Sequence, residues 1–572
     1  MNRKRLFLSV ACRLALFALT LGLAASVRAD ITLHFTPHDG DKISDIYKLQ
    51  VKAESPDGID KVEFLVDGLS RTTKGGTPYF YNWDTISDSE GEHTVTAIAY
   101  DSNGATKKAE IKLMIENEIG TGGAALAQKA LDALPKKDYD TVLKYARRSL
   151  KAAPNNTDGS RALAAVYASR QDWDRANDTL DKAKGVDGSA GALNELADYK
   201  IQRAIQRENI PNFVADYVTV GDLRRKSYDI ALKDLRAKAA AAPAGAEASA
   251  ANEAVGDALL NAGRYQEASV EYNKNVNGDD AQISSLNRLA LSYALLDNYN
   301  EAESILRIAV RAKKADAVTR AVYGLNYLRA RKFKEAREIV QSDLAGKTPV
   351  SLIVAAYADA ALGQNQRGVT EAKDAITALP EAAESHYAMA LASKELQVNE
   401  RELRKTVARE AFYTGPYLMY AANMALSSRA DRFDQTLSLV DAVLKQEPNN
   451  IFAQITQALV YIQQGQLKNA GELLRVLGRR EQASPDVLAV IGVYWNVSQK
   501  GVQSLASLKA AHEIDTERFT FIEAPSPMEM LDMLNRKYHY RSGYFLTPAA
   551  LYPPKVETPI LPPVVTDPPA AP

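Results

Sequence analysis

The chain has 572 residues, more than one hydrophobic core can organise, so several structural regions are expected. Lys and Arg total 70 against 71 Asp and Glu, a formal net charge of -1, which leaves no global field to attract nucleic acid or an anionic membrane surface. Cys12 is the single cysteine, so neither a disulfide framework nor a metal-thiolate cluster can be built.

Residues 1–29 read as a secretory signal. Arg3, Lys4 and Arg5 form a positive start, an apolar run follows with one interruption at Arg13, and Val27-Arg28-Ala29 supplies the cleavage pattern. The clean apolar stretch from Leu14 to Ala25 is too short to span a bilayer. Cleavage after Ala29 is expected to leave a mature chain without a membrane span or a cysteine, exported to a bacterial periplasm or cell surface.

Residues 30–118 change to a period of two. Tyr47-Leu49-Val51-Ala53, Val62-Phe64-Val66 and Ala109-Ile111-Leu113-Ile115 alternate with polar neighbours, and the β-prone run Thr94–Tyr100 suits a central strand. Asp67-Gly68 and Asn103-Gly104 are turn dipeptides. The order Val62–Gly68, Pro78–Thr85, then Gly91–Thr94 leading to Ala97–Asp101 resembles bacterial immunoglobulin-like domains. That resemblance implies a sandwich used as a spacer or adhesion module. Tyr79, Tyr81 and Trp83 share one strand face, which core packing explains better than a sugar-stacking platform.

Ile119 to Gly123 reads as a Gly-rich linker, and helical patterns occupy 124–250 and 251–516. In these, one position, bulky in all repeats but the last, recurs every 34 residues: Tyr139 and Trp173, then Tyr265, Tyr299 and Phe333, then Phe433, Leu467 and Gly501. Three residues on comes a small one: Ala176, Ala268, Ala302, Ala336, Ala470 and Ser504. Leu289-Ala290 with Tyr293 and Tyr323-Gly324 with Tyr327 match the preceding helices. The pattern resembles the tetratricopeptide repeat (TPR), a helix–turn–helix solenoid unit. Between Trp173 and Tyr265 the step fails, and Ala237–Ala251 reads as a flexible connection. Residues 517–547 are expected to cap the solenoid, with one short helix at Pro527–Leu534. From Pro548 on, 9 of 25 residues are proline, which predicts a disordered tail over 548–572. The fold class expected is therefore multidomain: an all-β immunoglobulin-like sandwich, an all-α TPR solenoid and a Pro-rich tail.

The sequence offers no chemistry of its own. His34, His38, His93, His386, His512 and His539 form no metal-ligand pair, and no P-loop, dinucleotide fingerprint or nucleophile elbow occurs. Asp39, Asp41, Asp57 and Asp60 could suggest a calcium loop, but a solvated surface is the better reading. Arg536–Arg541 is a small basic-aromatic patch, expected to pack over the end of the last helix pair. The expectation is a non-enzymatic scaffold without cofactor, binding protein and not nucleic acid; the alternative is adhesion or glycan binding led by the β domain. In TPR proteins the first helix of each pair lines the inner surface. Carrying the phase across puts Val318, Ala321, Leu325 and Leu328 there, then Val350, Ile353 and Tyr357, then Phe452, Ile455, Leu459 and Ile462. Such an apolar groove suits an amphipathic helix or an extended apolar segment of a partner, or else the chain's own C-terminal segment. Asn287, Arg288, Arg329 and Arg429 are polar exceptions, read as too scattered to form a clamp.

Overall fold

The structure, a computed structural model, describes residues 30–553 apart from 207–209, 277–281, 312, 314, 410–412, 428–429, 482–483, 517–518 and 520–523. The expected signal at 1–29, Arg429 and residues 554–572 lie outside the described residues. The chain divides into two compact units, 1–162 and 163–572.

The first unit holds strands β1 (Thr32–Phe35), β2 (Lys42–Ile43), β3 (Ile46–Glu54), β4 (Ile59–Val66), β5 (Leu69–Lys74), β6 (Tyr79–Asp84), β7 (Gly91–Asp101) and β8 (Thr106–Ile115). They form a three-stranded sheet, β1-β3-β6, and a five-stranded sheet, β2-β8-β7-β4-β5. The two-residue period does its work here: β4 buries Val62, Phe64 and Val66 completely and leaves the residues between them half-buried or exposed. Opposite them on β7 stand Ala99, Ala97 and Val95. Leu49, Val51 and Trp83 from the other sheet close the core. Asp67 and Gly68 both have positive φ, 52° and 79°, the turn that matches the twist of a hairpin.

Two helices, α1 (Gly123–Ala133) and α2 (Tyr139–Ala152), complete this unit. The segment expected as a free linker is instead a 3-10 turn, Ile119–Thr121, running into α1. Gly123 lies so close to α2 that a Cβ there would come within 2.5 Å of the Ala153 Cβ. Arg148, 1% exposed, donates from Nε to Asp45 Oδ1 at 2.9 Å and from Nη2 to Asp45 Oδ2 at 2.6 Å. Arg147 pairs with Asp84. The helix pair is thus fastened to the sandwich by partly buried guanidinium–carboxylate bonds that alternation patterns cannot reveal.

Next in the chain come α3 (Thr157–Ser169), α4 (Trp173–Asp181), α5 (Ala190–Gln206), α6 (Ile210–Ala241), α7 (Ala246–Asn261) and α8 (Tyr265–Asn273). The Ala237–Ala251 stretch is almost wholly helical and breaks only around Pro243 and Gly245, since Ala and Glu favour helix and proline does not. Seven pairs follow: α9 (Ile283–Leu295) with α10 (Tyr299–Arg311); α11 (Ala317–Arg329) with α12 (Phe333–Ile339), extended by α13 (Gln341–Leu344); and α14 (Pro349–Ala361) with α15 (Asn365–Ala378). Then come α16 (Ala383–Ala392) with α17 (Leu396–Arg409), α18 (Thr414–Leu426) with α19 (Ala430–Gln446), α20 (Ile451–Gln463) with α21 (Leu467–Arg480), and α22 (Pro485–Val497) with α23 (Gly501–Ile514).

Tyr265, Tyr299, Phe333, Leu467 and Gly501 each open a helix, as the repeat requires; Phe433 falls instead inside the first turn of α19. Ala302, Ala336 and Ala470 are fully buried. Gly324 shows how tight the pairs are, because a Cβ there would stand 2.5 Å from Val354 Cγ1. First helices touch first helices along the row: α9 with α11, α11 with α14, α14 with α16, α18 with α20, and α20 with α22. This unit is a TPR-type solenoid. Among the described residues, no helix is long and apolar enough to cross a membrane.

Candidate functional site

The inner layer is where the sequence places a groove, and the structure brings its residues together in one hydrophobic cluster. Ala321, Leu325, Leu328, Val350, Ile353, Tyr357, Phe452, Ile455, Leu459 and Ile462 are all buried, and Val318 is half-buried. They are not open to solvent, and part of their cover is the chain's own C-terminal region. Helix α24 (Pro527–Ser542), twice as long as the helix expected at 527–534, starts with a Ser526–Glu529 capping box. It packs against α11, α18, α20 and α22, all first helices, the last of them in the final pair. The side chains of 537–541, most of the basic-aromatic patch, lie outside the described residues.

After α24 the chain runs on as an extended strap, Gly543 to Thr547, and a single helical turn, α25 (Pro548–Leu551). Tyr544, Phe545, Leu546, Ala550 and Leu551 are 3% exposed or less. Residues 548–551, expected within a disordered tail, are instead a helical turn, since the apolar residues between the prolines are buried. Tyr544 lies 5.2 Å (ring centroids) from Tyr357 and 6.4 Å from Phe333; Phe545 stacks on Tyr413 at 4.2 Å and lies 5.7 Å from Tyr387. Such aromatic pairs add about 0.5–1.5 kcal/mol each beyond burial.

Polar groups of the inner layer catch the strap's backbone. Arg329 Nη1 donates to the Tyr544 carbonyl at 2.8 Å, the Tyr413 hydroxyl donates to the Leu546 carbonyl at 3.3 Å, and Thr547 N–H donates to Glu384 Oε1 at 2.5 Å. At the far end, Asn287 Nδ2 donates to the Tyr552 hydroxyl at 3.0 Å and the Arg288 guanidinium sits 4.2 Å over the Tyr552 ring. Burial pushes the Tyr552 hydroxyl up to about 12, against the pull of Asn287 and Arg288. Burial also raises the Glu384 carboxyl, and the Thr547 bonds only partly offset that. Three of the four polar exceptions in the sequence are thus strap contacts. Their spacing hid this, because a ligand lying along several repeats is read by single residues far apart in sequence.

Beside the strap lies a cavity of about 560 Å³ lined by Tyr265, Asp297, Glu447, Asn450, Asp486 and Phe452, and bounded by Gly543, Tyr544 and Phe545. Arg329 also lines it, but its guanidinium is committed to Asp297 at 2.8 Å and to the Ala294 carbonyl at 2.8 Å.

The remaining candidates have structural roles. His93 is buried, bonded to Asp67 Oδ2 at 2.6 Å and to the Ser89 carbonyl at 2.9 Å. Burial works against its charge, but those bonds outweigh it, raising the His93 ring and lowering Asp67. His386 bonds Glu402 at 2.6 Å; burial would raise that carboxyl, yet His386, Lys405 and Arg401 hold it at about 2. His34 and His38 are exposed. Asp39 accepts the Lys112 N–H at 2.6 Å and Asp41 that of His38 at 2.7 Å. Tyr79 and Trp83 are buried in the sandwich, whereas Phe80, on the outer face, has Lys48 at 4.7 Å and Lys74 at 5.6 Å over its ring. Among the described residues no His/Cys/Asp/Glu group could hold a metal ion.

Residues 31–97 match the bacterial Ig domain family. Fibronectin(III)-like modules of Clostridium thermocellum CbhA share 28% identity over 15% of this chain, with a TM-score of 0.14; the chain spans 47%, about half, of that structure. The APC/C hetero-tetramer Cut9-Hcn1 shares 14% identity over 72% of this chain and 96% of that one, TM-score 0.41. A tetratricopeptide repeat protein from Parabacteroides merdae shares 16% over 43% of this chain and 96% of that one, TM-score 0.31. A comparison with curated proteins finds no significant match. The protein joins a bacterial Ig-like domain to a TPR-type solenoid.

Proposed function

We propose that the protein is an exported, non-enzymatic scaffold that holds an extended or helical segment of a protein partner on the inner face of its solenoid, with the Ig-like domain as spacer or second binding module. One observation carries this reading: the inner face already holds a helix and an extended segment of this chain, gripped through backbone carbonyls and an amide. That is how peptide-recognition surfaces obtain affinity from the main chain and selectivity from side-chain pockets. Export is supported by the charged start, apolar run and cleavage pattern of residues 1–29.

The test is cross-linking in the native host, with a photoreactive residue replacing half-buried Val318 on the inner face, and controls at Val310 and Leu69, which are exposed. Adducts to another protein from position 318, on a chain recovered from the envelope with Asp30 at its N-terminus, are expected. Adducts only from 310 or 69, or a retained Met1, would move the interaction or the location elsewhere.

A further inference from the structure

We infer that residues 543–552 are a resident ligand that keeps this groove closed, and that the partner displacing it is an extended segment of another protein with two adjacent aromatic residues, then an aliphatic one, and a basic residue on the N-terminal side. This deepens the scaffold reading and rests on it.

The grip has two parts. Arg329, Tyr413 and Glu384 bind main-chain groups of the strap and would hold any extended segment in the same place. Selectivity comes from neighbouring aromatic seats, Tyr357 with Phe333 around Tyr544, and Tyr413 with Tyr387 around Phe545. Closing the groove also has a cost. Glu384 is 1% exposed and Thr547 N–H is the partner of its Oε1, and burying a carboxylate against a neutral donor is unfavourable. Apolar burial and that penalty oppose each other, which leaves the strap displaceable.

A competitor must still overcome tethering, because a segment of the same chain acts at an effective concentration in the ~mM range. A second copy of the chain offers the identical strap with no added contact, so it loses to the tethered one. A foreign segment can win by filling what the strap leaves empty. That space is the 560 Å³ cavity against Gly543–Phe545, where Asp297 and Glu447 line the wall and Arg329, the guanidinium among the described lining residues, is bound to Asp297. A Lys or Arg side chain complements it.

The experiment uses the full chain and a fluorescent peptide of sequence Gly-Tyr-Phe-Leu-Thr-Pro-Ala-Ala-Leu-Tyr-Pro, copied from residues 543–553. Opening the groove with Tyr544→Ala plus Phe545→Ala should tighten peptide binding by at least about tenfold over the wild-type chain. An Arg-Arg extension at the peptide's N-terminus should tighten it further, in a salt-sensitive way, where Gly-Gly does not. Replacing the peptide's adjacent Tyr-Phe pair with Ala-Ala should abolish binding. If the double variant is not folded by circular dichroism, Phe545→Leu keeps the volume and loses the stack on Tyr413, and about a threefold gain is expected. No binding by a folded open chain, or equal binding by open and wild-type chains, would overturn the inference. So would a concentration-dependent dimer of the wild-type chain that the double variant abolishes, which would make a second copy the occupant. Cross-links from position 318 that the peptide cannot compete away would leave the scaffold reading standing while this inference fails; their absence would remove that reading instead.

Discussion

Two carboxyl groups one helix apart should answer the same substitution in opposite ways. Asp359 on α14 is fully buried and takes the Arg367 Nε at 2.6 Å and the Arg337 Nε at 3.3 Å. Glu371 on α15 is 9% exposed; its Oε1 accepts from Arg337 at 3.0 Å, and its Oε2 has no hydrogen-bond partner among the described residues. Burial, followed by the neighbouring Asp359, pushes Glu371 from 4.5 to about 8, while the arginines keep Asp359 low despite its burial. Glu371 is therefore protonated at neutral pH. Between about 4.5 and 8 the unfolded chain has lost this proton and the folded chain keeps it, so stability falls as pH rises across that window. At 1.36 kcal/mol per pKa unit the effect is at most about 5 kcal/mol, and water reaching the pair reduces it. Glu371→Gln mimics the protonated form, so it should roughly match the wild type at pH 5, already exceed it in melting temperature by pH 7, and lead by the widest margin at pH 9. Asp359→Asn strips a buried ion pair of one partner and should cost roughly 3–5 kcal/mol at either pH. Thermal unfolding followed by circular dichroism from pH 5 to 9 reads both. Equal losses for the two variants, or a wild-type melting temperature that tracks that of Glu371→Gln at every pH, would refute the assignment.

Ala302→Leu should destabilise by about 1–3 kcal/mol, because Ala302 is fully buried in the tight contact of its helix pair; an unchanged melting temperature would show the repeat phase to be wrong. Arg148→Ala should lower the unfolding free energy of the Ig-like domain by about 1–3 kcal/mol in denaturant titrations, since it removes the main partner of the half-buried Asp45 carboxylate. The His93–Asp67 pair stabilises the sandwich where both groups are charged. Its raised imidazole loses that contribution as pH climbs through the folded His93 value, and its lowered carboxylate loses it as pH falls through the folded Asp67 value. The melting-temperature gap between wild type and His93→Gln should thus be wider at pH 5.5 than at pH 9, and a gap that widens with pH would reverse the reasoning.

Period and turn chemistry made most of the architecture legible before any coordinates. Val62, Phe64 and Val66 alternate because one face of β4 must be buried, and the Tyr299 and Phe333 helices start 34 residues apart because each pair stacks on the last. What stayed hidden depends on contacts between segments far apart in sequence. Arg148 is an unremarkable charge on an amphipathic helix until Asp45 meets it, 103 positions away. The strap has no period, and the prolines from 548 on read as a tail, yet Ala550 and Leu551 are buried in the core, each 3% exposed. Periodicity assigns Leu325 and Leu459 to first helices but cannot show what covers that layer. Leu325 and Leu459 are fully buried, so an Asp there would unfold its repeat and say nothing of a partner. Asn287, Arg288 and Arg329 were visible as exceptions, and their common purpose appears only when Tyr544 and Tyr552 lie across them.

Amide hydrogen exchange on the full wild-type chain tests the closed groove most directly. Thr547 donates its N–H to buried Glu384, Ala550 donates to the Thr547 hydroxyl at 3.2 Å and Leu551 to the Thr547 carbonyl at 3.1 Å, so the amides of Thr547, Ala550 and Leu551 should exchange slowly, together with those of α11 and α16. Exchange of these three amides at the rate of an unstructured peptide, with α11 and α16 still protected, would show an open groove and contradict the arrangement.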